Sequence, residues 1–203
     1  SDTEMASAIK TCNDNGVYLA QFFRVIDKNK NADIYEQAVK SPYYIGAVHE
    51  NEVENGKKLV QILIDKKCRN IGLIGWEQGD ATWLGRWEGY KAGVEEWNAA
   101  HPSDQVKLSD PQYAGTSSEG GAKAAEALMS ADPKLDALIP AGGGGDPLQG
   151  AIAAVERAGK TGTIKIVSTD FLPDLGERLQ NGSIAGESGG HYCDPLYAFM
   201  MVY

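Results

Sequence analysis

Three short apolar runs mark this chain: Asn70-Ile71-Gly72-Leu73-Ile74-Gly75, Leu135-Asp136-Ala137-Leu138-Ile139-Pro140 and Ile164-Lys165-Ile166-Val167-Ser168. Each breaks into a polar or Gly-rich loop where a buried strand should end, and longer stretches of helical period separate them. Continuous apolar strands alternating with helices predict an α/β fold, a doubly wound parallel sheet covered on both faces. Such sheets bind ligands outside the carboxyl ends of their strands, so the candidate functional residues lie in loops 76–86, 142–146 and 169–174.

The rest of the pattern fills in around these runs. Residues 3–15 read as the tail of a helix, stopped by Asn15-Gly16 before a strand over 17–23. A loop rich in Asp, Lys and Asn follows, then a strand over 44–48 and a helix over 52–66 with the stripe Val53, Lys57, Val60, Ile64 beside Leu59 and Leu63. Trp83, Trp87, Tyr90, Val94 and Trp97 keep helical spacing through 82–98, and His101-Pro102 ends that helix. A weak strand over 106–108 and helices over 119–130, 147–158 and 173–180 complete the cycle, and Asn181-Gly182 turns the chain towards 184–188. The last segment opens with Asp194 as a cap and Pro195 at the first helical position, then runs apolar to Tyr203. A helix without a start signal at one end and without a stop at the other predicts further chain on both sides.

Composition narrows the class. With 203 residues, 42% hydrophobic and 23% charged, the chain suits one α/β domain or two small lobes and argues against disorder. A net charge of −9 and a pI near 4.8 lack the clustered cations that phosphate backbones require, so no nucleic-acid partner is expected for this chain. No run reaches the roughly 18 to 20 apolar residues that span a bilayer, and no signal-peptide pattern is visible. Cys12, Cys68 and Cys193 are too far apart for a structural zinc motif; one disulfide is possible in an exported protein, and buried or inert thiols are the alternative.

The run Trp83-Leu84-Gly85-Arg86-Trp87-Glu88-Gly89-Tyr90, one loop after the first apolar run, resembles the Arg-x-x-Gly-aromatic motif of type I periplasmic sugar-binding proteins, the ribose-binding-like solute receptors of ABC transporters. Gly150-Ala151 and Ala158-Gly159 are similar to that family's Gly-Ala and Ala-Gly segment, and Ile166-Val167-Ser168-Thr169-Asp170 to its strand ending in a ligand-binding Asp. Upstream, the strand ending in Phe23-Arg24 is similar to the family's Asp-Arg strand, and Ile45 to Val48 with Glu50-Asn51 to its Asp-Asn segment. Five motifs in the family's order cover almost the whole chain. The resemblance implies two lobes joined by a hinge, with residues 1–49 and 191–203 in one incomplete lobe and 50–190 in the other. It also places the family's first strand, helix and second strand upstream of Ser1 and its last helix and strand beyond Tyr203. Two departures stand out: Gly142 to Gly145 with Asp146 replace an Asn-Asp pair, and Phe23 replaces Asp before Arg24.

Paired sugar hydroxyls are satisfied by the planar, charge-assisted bonds of Arg and Asp, roles that Arg86 and Asp170 fit. Arg86 has the alternative of a solvated helix residue or a partner of Glu88, and Asp170 that of capping the helix near Pro173. Aromatic faces stack on sugar rings, which makes Trp76, Trp83 and Phe23 candidates, while Trp87 and Trp97 are assigned to packing; the helix of Trp83 can turn it either way. Arg24 is a candidate by the family motif. Gly144 and Asp146 stand in a loop that matches neither a P-loop nor a dinucleotide loop. Its glycines allow close backbone approach to a ligand, with Asp146 as cap and Pro147 opening the helix as the alternative. The resemblance puts His191, after Gly189-Gly190, at a polar ligand contact, against a surface or core role.

No nucleophile elbow and no metal-ligand spacing is visible, so no enzyme, metal or cofactor is expected; Glu77, Asp80 and His191 are loop candidates for a general base, without a partner at recognisable spacing. The expected function is that of an extracytoplasmic solute-binding protein, periplasmic or lipid-anchored, which captures a small polar, sugar-like ligand and delivers it to an ABC transporter permease or a membrane sensor. The effector domain of a sugar-responsive LacI-type transcription regulator shares the fold and is the alternative; an enzyme on the same fold class is a further one.

Overall fold

The computed structural model describes residues 2–142, 147–170 and 172–203. Contacts between its Cα atoms divide the chain into two units, Ser1–Glu50 with His191–Tyr203, and Asn51–Gly190.

The larger unit contains α3 (Glu52–Asp65), β3 (Asn70–Gly75), α4 (Ala81–Ala100), β4 (Lys107–Leu108), β5 (Gln112–Tyr113), α5 (Ser118–Ala131), β6 (Ala137–Pro140), α6 (Pro147–Arg157), β7 (Lys165–Ser168), α7 (Leu175–Asn181) and β8 (Gly186–Glu187). Its strands are all parallel, in the order β4-β3-β6-β7-β8, with β5 also on β3. The sheet is buried on both faces because its residues alternate with period two. Ile71, Leu73, Ala137, Ile139 and Val167 point to the α3–α4 side, where Leu59, Val60, Leu63, Trp83, Tyr90 and Val94 meet them. Ile74, Leu138 and Ile166 point to the α5–α6 side, against Ala125, Leu128, Leu148, Ala151 and Ile152. Gly72 sits on that second face because Leu128, Leu135 and Leu138 fill the place of its side chain. Each fully buried Leu, Ile or Val adds roughly 1.5 to 3 kcal/mol to folding, so this continuous apolar interior dominates the unit's stability.

Polar side chains set the ends of the strands. The Asp136 carboxylate accepts from the backbone N–H groups of Arg69 and Asn70 at 2.8 and 2.9 Å, which fixes the start of β3 beside β6. β4 and β5 are two halves of one edge interrupted by Asp110-Pro111; there Leu73 N donates to the Ser109 hydroxyl at 3.0 Å. The helices on each face approach closely through glycine. A Cβ at Gly56 would strike the Arg86 carbonyl, one at Gly89 the Val53 carbonyl, and one at Gly121 the Pro147 carbonyl.

The smaller unit contains α1 (Asp2–Asn15), β1 (Leu19–Phe22), α2 (Ala32–Lys40), β2 (Tyr44–Val48) and α8 (Asp194–Val202). β1 and β2 form a parallel pair, and Ile9, Ile26 and Ala38 form a small core with Met5, Leu19, Ile34 and Tyr44. The polar stretch after β1 is not only loop: α2 forms there because Ile34 and Ala38, four residues apart, share the face that meets Ile9 and Ile26. The final helix also differs from its sequence reading. Cys193 occupies the N-cap position, and Asp194 is buried in the first turn with its carboxylate turned elsewhere.

Candidate functional site

At the carboxyl edge of the larger sheet, three segments converge on one guanidinium. Asn51 caps α3 by accepting from Glu54 N at 3.2 Å, which makes Glu52 the helix's first residue. Asp80 caps α4 by accepting from Trp83 N at 2.9 Å, and Arg86 follows two turns in, on the inward face. β7 ends in Ser168 and delivers Thr169 and Asp170 to the same edge. Arg86 is 1% exposed; its Nε donates to Glu52 Oε2 at 2.6 Å, Nη2 to Glu52 Oε1 at 3.4 Å and Nη1 to Thr169 Oγ1 at 2.9 Å. Burial opposes its charge, but the hydrogen bond and negative charge of Glu52 outweigh that and hold the Arg86 pKa above its ordinary value. It is neither solvated nor a partner of Glu88. The Trp76 ring, just past the end of β3, lies 5.8 Å from its Cζ, within cation–π range.

Asp170 is half-buried beside this group. Ser168 Oγ donates to the Asp170 carbonyl at 2.8 Å and accepts from Asp170 N at 3.2 Å, a local turn that presents the side chain. It does not cap α7, where Asp174 occupies the N-cap position. Trp83 is the residue whose placement departs furthest from a ligand role. It is fully buried, its ring lies against Gly75, and it meets Tyr90 edge-on at 5.9 Å, because its helical phase turns it onto β3. Trp83 Nε1, Trp76 Nε1 and the Tyr90 hydroxyl are buried without a hydrogen-bond partner among the described residues. Burial, only partly offset by the charge of Arg86, pushes the Tyr90 hydroxyl pKa far up, so it stays protonated. Gly144 and Asp146 lie outside the described residues.

The smaller unit assembles its own cluster from residues far apart in sequence. Phe23 and His191 both have left-handed backbone, φ 70° and 50°, and their rings meet edge-on at 4.3 Å. Non-glycine residues in that region store strain, which the surrounding contacts must hold. Here His191 N donates to Glu50 Oε1 at 2.7 Å, and His191 Nδ1 meets Asp194 Oδ2 at 2.9 Å, which sets the ring's tautomer and direction. Arg24 is exposed, its Cζ 5.4 Å from the Phe23 ring. Glu50, His191 and Asp194 bring three metal-type ligand atoms within 4.8 Å of one another, and hydrogen bonds inside the trio already engage all three residues.

Two participants escape sequence reasoning. Glu52 offers only its position at a helix start, and Asp194 reads as a cap until the fold brings His191 against it. Arg86 and Asp170, by contrast, are carried by short motifs and do come to one edge of one unit.

The chain matches the periplasmic binding protein domain family over residues 1–190. It belongs to that family. No curated protein sequence matches it significantly. Among solved structures it resembles an ABC transporter periplasmic solute binding protein from Actinobacillus succinogenes 130z with bound D-allose, at 16% identity and TM-score 0.69, over 91% of this chain and 68% of that one. GanP, a glucose-galactose binding protein from Geobacillus stearothermophilus, is similar at 15% identity and TM-score 0.71, over 99% and 66%. The periplasmic binding protein component of the arabinose ABC transporter from Shewanella sp. ANA-3, bound to L-arabinofuranose, is similar at 20% identity and TM-score 0.66, over 96% and 60%. The fold is thus that of the type I periplasmic binding proteins, and the chain spans 60 to 68% of the length of these three.

Proposed function

We propose that this chain is the greater part of an extracytoplasmic solute-binding protein that captures a small polar, sugar-like ligand and hands it to an ABC importer. The observation that carries this reading is the anchored Arg86: a buried guanidinium at the carboxyl edge of a parallel sheet, beside Asp170 and Trp76, offers charge-assisted donors, acceptors and an aromatic face to a polyol. Arg86, Asp170 and Trp76 are the contacts assigned to the larger unit; Phe23, Arg24 and His191 are those of the smaller one. The family match, and relatives that are transport receptors with sugars bound, favour transport over the effector domain of a transcription regulator. The partner this reading names is an ABC transporter permease, the class of protein that receives solutes from periplasmic binding proteins.

The test is a thermal-shift screen of the full-length protein against monosaccharides, polyols, nucleosides and small anions. A ligand specific for the folded state stabilises it by roughly 2.7 kcal/mol at a hundredfold excess over its dissociation constant. A shift confined to one sugar class supports the reading. No shift with any of them overturns it.

A further inference from the structure

Glu50, His191 and Asp194 of the smaller unit meet although 141 residues separate the first two, which is why no metal-ligand spacing shows in the sequence. Glu50 stands two residues beyond β2, Asp194 is the first residue of α8, and α8 packs against both β1 and β2, so one small framework carries both carboxylates. His191 enters beside them from Gly189-Gly190, and its carbonyl accepts from Asp194 N at 3.4 Å in the turn that leads into α8. One ligand-type atom from each residue lies within 4.8 Å of the other two, and the closest pair, His191 Nδ1 and Asp194 Oδ2, is 2.9 Å apart. The His191 and Asp194 side chains are only 9% and 7% exposed.

The donor set decides what fits. Hydrogen bonds link these groups only in pairs, His191 Nδ1 with Asp194 and His191 N with Glu50, whereas a cation can take all three side chains at once. An ion with bonds of about 2.0 to 2.2 Å in tetrahedral geometry spaces its ligand atoms roughly 3.3 to 3.6 Å apart. The spacings here, 2.9 Å for the closest pair and none above 4.8 Å, bracket that range. Small side-chain movements therefore replace the His191–Asp194 hydrogen bond with two bonds to one ion, the imidazole binding in its neutral form. One nitrogen with two carboxylate oxygens suits zinc and neighbouring divalent metals better than Ca2+ or Mg2+, which take oxygen ligands. The surroundings act as an outer shell. The His191 backbone N–H donates to Glu50 Oε1 at 2.7 Å, Phe23 meets the His191 ring edge-on at 4.3 Å, and Glu50 and His191 each make a further interaction besides these. Such partners orient the ligands and shield the metal.

We propose that Glu50, His191 and Asp194 form a binding site for one divalent transition-metal cation, with Zn2+ the best match. The ion fastens the end of β2 to the start of α8 through His191, whose left-handed backbone it helps to hold. The site belongs to the smaller unit alone and stands whether or not the larger unit binds a sugar.

The test is calorimetric titration of ZnCl2 into the full-length, tag-free protein after EDTA treatment and dialysis. The expected result is one Zn2+ bound per molecule at micromolar protein, and no heat from CaCl2 or MgCl2 at the same concentrations. His191→Ala, Glu50→Gln and Asp194→Asn should each weaken Zn2+ binding at least about a hundredfold, the upper end of what loss of an outer-shell partner costs. His49→Ala and His101→Ala, which change the chain's other two histidines, should bind as the wild type does. In 15N-labelled protein, Zn2+ should shift the imidazole nitrogens of His191 and leave those of His49 and His101 in place. Glu50→Gln and Asp194→Asn keep the side-chain shape and provide the answer should His191→Ala fail to fold by circular dichroism. No uptake of Zn2+, uptake that all three site variants retain, or Ca2+ bound as tightly as Zn2+ overturns the proposal. A loss in His49→Ala or His101→Ala equal to that in His191→Ala overturns it as well, because the ion then sits elsewhere.

Discussion

The Arg86–Glu52 pair of the larger unit and the His191–Asp194 pair of the smaller one do the same job by opposite means. In each, a carboxylate orients a nitrogen-bearing side chain beside an aromatic ring, Trp76 in one and Phe23 in the other. Arg86 is fixed by regular structure: two helices pressed together at glycines, a capped start to each, and a strand end that brings Thr169. His191 is fixed by a loop, in a backbone conformation that costs free energy and is held by Glu50, Asp194 and Phe23. Packing makes the first anchor part of the unit's cooperative core. Local contacts make the second separable from it.

All four tryptophans, at 76, 83, 87 and 97, lie in the larger unit, so tryptophan fluorescence reports that unit's unfolding, and seven of the nine tyrosines lie in the smaller one. The largest expected effect is that of Arg86→Ala. It takes from the half-buried Glu52 carboxylate the guanidinium that it bonds, a loss of about 3 to 5 kcal/mol in the urea transition followed by fluorescence. Affinity for whichever sugar the wild type binds should fall at least tenfold. A fully stable Arg86→Ala protein would show that the Arg86–Glu52 pair does not hold the larger unit together and that the two anchors do not differ in kind. Gly89→Ala attacks the same anchor from the packing side: its methyl meets the Val53 carbonyl and comes within 2.9 Å of Gly56 Cα, so α3 and α4 must separate. A loss of about 2 to 3 kcal/mol in the same fluorescence transition is expected, with weakened sugar binding although no ligand group is removed.

Much of the larger unit is legible in the sequence for the same reason that it is stable. β3, β6 and β7 announce themselves because both faces of each strand are buried, and α3 through α6 because their apolar stripes are long. The two-residue strands β5 and β8 carry too few side chains to leave a pattern, and α2 hides because its inward face is little more than Ile34 and Ala38 in a polar setting. Arg86 and Asp170 are visible through motif order. Glu52 is not: its role depends on the missing Cβ of Gly85, which would come within 3.0 Å of Glu52 Cβ, and on the distance between α3 and α4, neither of which has a local signature. Trp83 shows the converse failure, since the spacing that makes it a helix residue leaves open which way it faces, and the phase set by β3 turns it inward.

The smaller anchor should yield to gentler changes. His191→Ala leaves Asp194 without its ring partner and Phe23 without its edge contact, an expected loss of about 1.5 kcal/mol in the tyrosine near-ultraviolet transition. The tryptophan transition should stay where it is. His191→Gly removes the same side chain but accepts φ near 50° without strain, so it should be the more stable of the two by about 1 kcal/mol. Equal stabilities would mean that the left-handed conformation is not held in solution. A shift of the tryptophan transition in either variant would mean that the second anchor is not separable.

The smallest perturbation is thiol labelling, which compares the units without changing the sequence. Cys193 is exposed at the start of α8, next to Asp194, whereas Cys68 is 3% exposed in the larger core, with its Sγ 3.6 Å from the Asp136 carbonyl oxygen. Burial, reinforced by the Asp136 charge, pushes the Cys68 thiol up to about 11, so at pH 8 it is both covered and protonated. Iodoacetamide at that pH should therefore modify Cys193 promptly and reach Cys68 only at the rate of global unfolding of the larger unit. The same shift has a sign in stability. Between about pH 9 and 11 the unfolded chain has released this proton and the native state has kept it, so the larger unit loses stability across that window, and Cys68→Ala should flatten the loss. Labelling of Cys68 as fast as of Cys193 would show that the larger unit opens locally at β3. The contrast between an anchor held by packing and one held by a loop would then fail at its firmer end.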